Sequence, residues 1–182
     1  MKHLYLLTGN KDKIAAANLI FNKYNIEVLS LDLDLPEIQA TTSAEIASYT
    51  AREAFEKNKL PVIREDHSFY INELGMPGPY MAYIDKVIDL DHLVKILSIL
   101  QDRSGYFELS ASYIDEGGKE HQFSYQVPIV FANEPRGDNQ QKWERLMMFS
   151  NETRTFAEYP SEERAEVWSR NYQGIAELIC KR

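Results

Sequence analysis

Six consecutive residues near the start of the chain, Thr8-Gly9-Asn10-Lys11-Asp12-Lys13, have the composition of a phosphate-binding turn. They follow an apolar run and open a segment with helical spacing. The N–H groups at a helix start, at the positive end of its dipole, attract phosphate. Gly9 permits a tight turn, Asn10 can hydrogen-bond, and Lys13 stands roughly one turn in. A strand–helix turn with solvated lysines would read the same way. It is not a Walker P-loop, because the second glycine and the Lys-Ser/Thr ending are missing.

Two acidic segments could answer that turn. In Leu33-Asp34-Leu35-Pro36-Glu37-Ile38-Gln39, Pro36 stops regular pairing, and a carboxylate held at such a corner could ligate a hard cation. Glu65-Asp66 follows the apolar run Pro61-Val62-Ile63, where a sheet opens into a cleft, and carboxylates there can hold Mg²⁺ or activate water. Solvated surface acids would give the same pattern. The four histidines, His3, His67, His92 and His121, do not pair at zinc-ligand spacing. No Gly-x-Ser-x-Gly elbow supports a serine triad.

The elements that must position these residues can be traced from apolar periodicity. Leu4 to Thr8 and Ile26 to Leu31 read as strands, with a helix from Asp12 between them on Ile14, Ala17, Phe21 and Tyr24. Ser43 can cap a helix carrying Ile46, Tyr49 and Ala54, with Glu45 in its first turn. Pro61-Val62-Ile63 then delivers Arg64-Glu65-Asp66-His67 at a strand end. Leu74 to Tyr80 reads as a rigid Gly/Pro loop that shapes the next helix. Asp89 to Leu100 is helical, with Leu90, Leu93, Val94 and Leu97 on one stripe. Phe107 to Tyr113 and Phe123 to Val127 alternate around Asp115-Glu116-Gly117-Gly118, a hairpin signal. Ser161 to Ile179 closes the chain as one helix with Ala165, Trp168, Tyr172, Ile175 and Ile179 in line. Strand–helix alternation followed by hairpins predicts an α/β fold, a mixed sheet flanked by helices.

With 182 residues, 44% hydrophobic and 26% charged, the chain suits one globular domain spanning 1–182. The net charge of −8 argues against a grip on long nucleic acid. A small polyanion can still bind where a few cations and a divalent metal converge. No apolar run approaches the ~20 residues of a membrane helix, and the first residues are too short for a secretory signal. The single cysteine, Cys180, suits a reducing compartment, so a cytoplasmic location is expected.

Taken together and in order, four segments resemble the inosine triphosphate pyrophosphatase family, over nearly the whole chain. They are Thr8-Gly9-Asn10 with Lys13; Asp34-Leu35-Pro36-Glu37-Ile38-Gln39; Glu65-Asp66 followed by Gly75-Met76-Pro77-Gly78-Pro79-Tyr80; and the helix from Glu163-Arg164 to Arg170. The resemblance implies an elongated mixed sheet with two lobes and a central cleft, in a homodimer. It implies hydrolysis of ITP, dITP or XTP to the monophosphate and pyrophosphate, with Mg²⁺ as cofactor. Thr8, Gly9, Asn10 and Lys13 would hold the triphosphate, with His67 also on the substrate. Glu37 and Asp66 would hold the metal. Asp66 would activate water, and Lys13 would neutralise charge developing on the phosphates.

The last third departs from the family pattern. Where the family holds the base with an aromatic-Gly-Trp/Tyr-Asp-Pro segment, this chain reads Gln141-Lys142-Trp143-Glu144-Arg145. Trp143 could stack on a purine, and Glu144 could stand in for the acid. Where the family ends with Lys and then Ser-His-Arg, the chain has Arg164 and then Trp168-Ser169-Arg170. Arg164 keeps the charge and Arg170 is retained, but Ser169 occupies the histidine position, which weakens the contact to a 6-keto purine. Trp168 also falls on the apolar stripe of its helix, which favours a core role. Two alternatives stay open: a pyrophosphatase with another base preference, and a non-catalytic nucleotide-binding protein on the same scaffold.

Overall fold

The computed structural model describes residues 2–36, 38–138 and 142–181. Its strands are β1 (Lys2–Leu7), β2 (Ile26–Leu31), β3 (Val62–Ile71), β4 (Met76–Gly78), β5 (Ser104–Ile114), β6 (Glu120–Phe131) and β7 (Met147–Phe149). Its α-helices are α1 (Lys11–Phe21), α2 (Ser43–Asn58), α3 (Met81–Val87), α4 (Leu90–Ile99), α5 (Ser161–Trp168) and α6 (Arg170–Cys180). The strands form one mixed sheet in the order β2-β1-β3-β5-β6-β7, with β4 paired to β3. β1 lies parallel to β2 and to β3; β4 and β7 pair antiparallel with β3 and β6. The expected mixed sheet flanked by helices is therefore present.

The chain divides into two compact units, Met1–His67 with Leu109–Tyr125 and Ala165–Arg182, and Ser68–Glu108 with Gln126–Arg164. In the first, β1 is sealed on both faces. Leu4 and Leu6 join Ile63, Ala17, Phe21, Tyr172 and Ile175 in a cluster under α1 and α6. Leu7 joins Val62, Ala51, Ala54 and Ile114 under α2. A strand apolar on both faces has to be covered on both. In the second unit, Phe69 anchors an aromatic core, with its ring 4.7 Å from Phe107, 5.9 Å from Phe131 and 6.5 Å from Trp143.

Several local expectations need correction. Thr42, not Ser43, caps α2 by accepting from the Glu45 N–H, while Ser43 is buried and its hydroxyl meets that of Ser110. Met76–Gly78 is a strand rather than a loop, because Leu74 and Gly75 turn back on the Ile71 carbonyl and bring Pro77 opposite Tyr70. The closing helix is broken between α5 and α6 at Ser169, which is buried and donates its hydroxyl to the Glu166 carbonyl at 2.7 Å. A serine that bonds back onto its own preceding turn offers the backbone an alternative to the helix ladder.

Candidate active site

Asn10 caps α1. Its Oδ1 accepts from the N–H of Asp12 at 2.8 Å and of Lys13 at 3.4 Å, and Asp12 adds an acid in the first turn. Two of the N–H groups expected to meet phosphate are thus engaged by the cap itself. The turn is held by Thr8 Oγ1, which accepts from the Asn10 N–H at 3.1 Å, and by Ser30, whose hydroxyl donates to the Thr8 carbonyl at 2.7 Å. Gly9 does not adopt a left-handed conformation, so no turn strain requires a glycine there. A Cβ at Gly9 would meet no protein atom within 4 Å, so its backbone is open to a ligand's approach.

The acids stand beside this turn, though not at a strand end. β3 continues to Ile71; its neighbour β1 is the strand that stops. With Leu6 opposite Ile63, Arg64 comes beside Leu7 at the end of β1, and Glu65-Asp66-His67 run on past that end. The Arg64 guanidinium donates to the Leu7 carbonyl at 3.1 Å, and the Lys13 ammonium donates to the Glu65 carbonyl at 3.4 Å. Lys13 of the first helix therefore reaches the third strand at the residue before Asp66, close enough for its charge to act on that carboxylate. Glu37 and Gln141 lie outside the described residues.

The two adjacent acids are not equivalent. Glu65 is buried, with one carboxylate oxygen on His67 Nε2 and the other accepting from the Tyr172 hydroxyl. Burial alone would raise its pKa, but the His67 imidazole, the Lys13 ammonium and the Tyr172 hydroxyl outweigh it and hold the group at about 2. Asp66 goes the other way: burial raises its pKa against the pull of Lys13, Arg64 and His67. Asp66 is thus the more basic carboxylate and the better proton acceptor. Tyr172 is pushed well above the ordinary tyrosine range by burial and by the charge of Glu65.

The same asymmetry bears on a metal. Both oxygens of Glu65 are engaged by protein groups, which leaves Asp66 as the hard oxygen donor of the pair. Such a donor, on the strand that Lys13 reaches, fits an oxygen-seeking divalent cation. Among the described residues, no three His, Cys, Asp or Glu side chains form a ligand cluster.

The remaining expected site residues fall in two places. In the first unit, His67 is about a quarter exposed, and its ring lies against Trp168 at 6.1 Å with planes 29° apart. Trp168 is consequently half-buried on the imidazole rather than a core residue. Arg170 is exposed; its guanidinium bonds the Tyr125 hydroxyl and lies 5.3 Å from that ring. It borders a depression of about 490 Å³ lined also by Ile20, Lys23, Phe123 and Asn171, and by none of residues 8–13 or 65–67.

In the second unit, Trp143 is 3% exposed. Its N–H donates to the Ile88 carbonyl at 3.3 Å, and its ring meets Phe69 edge-on. It is a core side chain here, and stacking on a purine does not fit that burial. Glu144 pairs with Arg164 at 2.9 Å, the Arg164 charge also lying 5.5 Å from the Phe156 ring.

Reading the sequence missed the Tyr172 contact to Glu65. Tyr172 lies on the apolar stripe, which points to a core role; the one available signal is its hydroxyl, which a buried tyrosine must satisfy.

A dITP/XTP pyrophosphatase of Methanopyrus kandleri is 36% identical over 168 residues, 92% of this chain and 89% of that protein. An inosine triphosphate pyrophosphatase of Ajellomyces capsulatus is 31% identical, with 98% and 95% covered. A HAM1 protein structure from Coxiella burnetii superposes with a TM-score of 0.81 at 20% identity over the whole of both chains. The Staphylococcus aureus Ham1 protein gives 0.80 at 21% identity, with 99% and 98% covered. These two likenesses speak for the fold. The model of the Ham1 family matches residues 4–179, and the chain belongs to that family.

Proposed function

We propose that this protein hydrolyses inosine- and xanthosine-type nucleoside triphosphates to the monophosphate and pyrophosphate. The observation that carries this reading is the meeting of Lys13 with the strand bearing Asp66, beside the open turn at Gly9. The relatives named dITP/XTP pyrophosphatase and inosine triphosphate pyrophosphatase support the same conclusion.

Thr8, Asn10 and Lys13 hold the triphosphate, the ammonium facing the charge that gathers on the phosphate oxygens. Asp66, the more basic acid, takes the proton of the attacking water, whose oxygen bonds the α-phosphorus while pyrophosphate leaves. Asp66, with Glu37 by family resemblance, would hold Mg²⁺, which when bound supplies charge neutralisation at the phosphates.

A second reading keeps this phosphate chemistry with a changed base preference. Three observations favour it: Ser169 at the family's histidine position is buried on Glu166, Trp143 is buried, and Arg164 is paired with Glu144. A homodimer is supported by the family resemblance and by exposed apolar side chains such as Tyr83 and Ile99, 64% and 79% exposed. A cytoplasmic location is supported by the single cysteine; among the described residues no helix is long and apolar enough to cross a membrane.

A nucleotide panel with pyrophosphate detection tests the function. Faster release from ITP and XTP than from ATP and GTP is expected. Equal rates on all of them would move the assignment to the second reading, and binding without turnover would overturn it.

A further inference from the structure

We infer that Glu65 is a positioning residue rather than a second reacting acid: Tyr172 and His67 hold its carboxylate as two ends of one clamp that fixes Asp66 and Lys13. This rests on reading Asp66 and Lys13 as the reacting pair. A buried carboxylate has no water to meet its oxygens, so protein groups must do so. Here the Tyr172 hydroxyl and His67 Nε2 take one oxygen each.

Side chains alternate along a strand, so Glu65 and His67 share one face of β3 and Asp66 projects from the other. That shared face carries Tyr172 of α6, in the core cluster with its ring 5.8 Å from Phe21, and Trp168, stacked on the His67 imidazole. Residues 65 and 67 are thereby anchored on both sides of Asp66. The anchored backbone at 65 also supplies the carbonyl that receives Lys13. One clamp thus sets the places of both reacting groups, from residues 107 positions apart. Supporting groups that orient a reactive carboxylate commonly govern activity by about 10- to 100-fold.

The experiment compares Tyr172→Phe, His67→Ala and His67→Gln in the full chain, well below each variant's melting temperature. Tyr172→Phe keeps the core ring and removes only the hydroxyl. It should lower kcat by about 10- to 100-fold with little change in KM. His67→Ala should do the same, while His67→Gln, which keeps an N–H donor toward Glu65, should recover most of the loss. Adding His67→Ala to Tyr172→Phe should lower kcat less than the product of the two single losses. A purely structural role would lower the melting temperature and leave kcat of the folded enzyme unchanged, which would overturn the proposal. So would His67→Gln failing alongside His67→Ala while Tyr172→Phe keeps full activity, since the imidazole would then act on the substrate directly.

Hydrogen exchange of the segment 64–67 relative to β1 gives a reading that needs no turnover. It should quicken in Tyr172→Phe, and an unchanged ratio would count against the clamp. If the wild type releases no pyrophosphate, the proposed function fails, and the exchange measurement alone decides the clamp.

Discussion

The Lys13 ammonium donates to the carbonyl of Glu65, 52 positions further along the chain, at 3.4 Å. It therefore joins the turn that opens α1 to the strand carrying Asp66. In the proposed function Lys13 is the cation that faces the phosphates, so Lys13→Met should lower kcat/KM by about 10²–10³-fold, as loss of one transition-state donor does. Lys13 also pulls the Asp66 pKa down. Its removal should move the acid limb of the kcat/KM profile to higher pH. Steady-state kinetics across pH checks both, and an unshifted limb would separate Lys13 from Asp66.

Gly9 makes a test in which stability and binding part company. A Cβ there meets no protein atom within 4 Å, and the backbone is not left-handed. Gly9→Ala should leave the melting temperature within about a degree or raise it slightly, since the unfolded chain loses freedom. KM for the triphosphate should rise if the phosphates approach this backbone. Calorimetry and kinetics on one preparation read both.

Acid stability carries a defined sign. Glu65 falls from an ordinary value of 4.5 to about 2 in the folded protein, and Glu120, bonded to Ser112 and Arg52, likewise to about 2. Each contributes stability that is present above pH 4.5 and is lost as the pH falls toward 2. The raised Asp66 acts oppositely: its contribution is present in acid and lost as the pH rises through its folded value. Denaturation midpoints should drop between pH 4.5 and 2 in the wild type, and Glu65→Gln should flatten that drop. An equally steep decline in the variant would contradict the assignment.

Much of this was legible because it is local. Alternation and helical spacing located β1, β2, α1 and α4 closely, and the turn at residues 8–13 reads directly as a strand–helix junction. What escaped depends on distant partners. Nothing near Glu65 signals that Tyr172 will take one of its oxygens. The acids looked like the end of a strand because the apolar run ends there, whereas β3 continues with polar residues that its neighbours in the sheet still pair. Trp143 looked available for a base because its family counterpart contacts one; the Phe69 cluster buries it.

Ser169 tests whether the family's histidine can simply be restored. The side chain is fully buried and bonded to the Glu166 carbonyl at the break between α5 and α6. Ser169→His must force a ring into that space, and overpacking a well-packed site typically costs about 1–3 kcal/mol. The variant should melt lower than the wild type and gain no preference for ITP over GTP. A gain in ITP selectivity at unchanged stability would show that the position faces the base.

The most direct measurement follows ITP turnover by ³¹P NMR with Mg²⁺, using the wild type and Asp66→Asn. IMP and pyrophosphate should form together from the wild type without IDP, and Asp66→Asn, lacking the proposed proton acceptor, should lose at least about 10²-fold in rate. IDP with inorganic phosphate as products, or an Asp66→Asn rate equal to the wild type, would contradict the account.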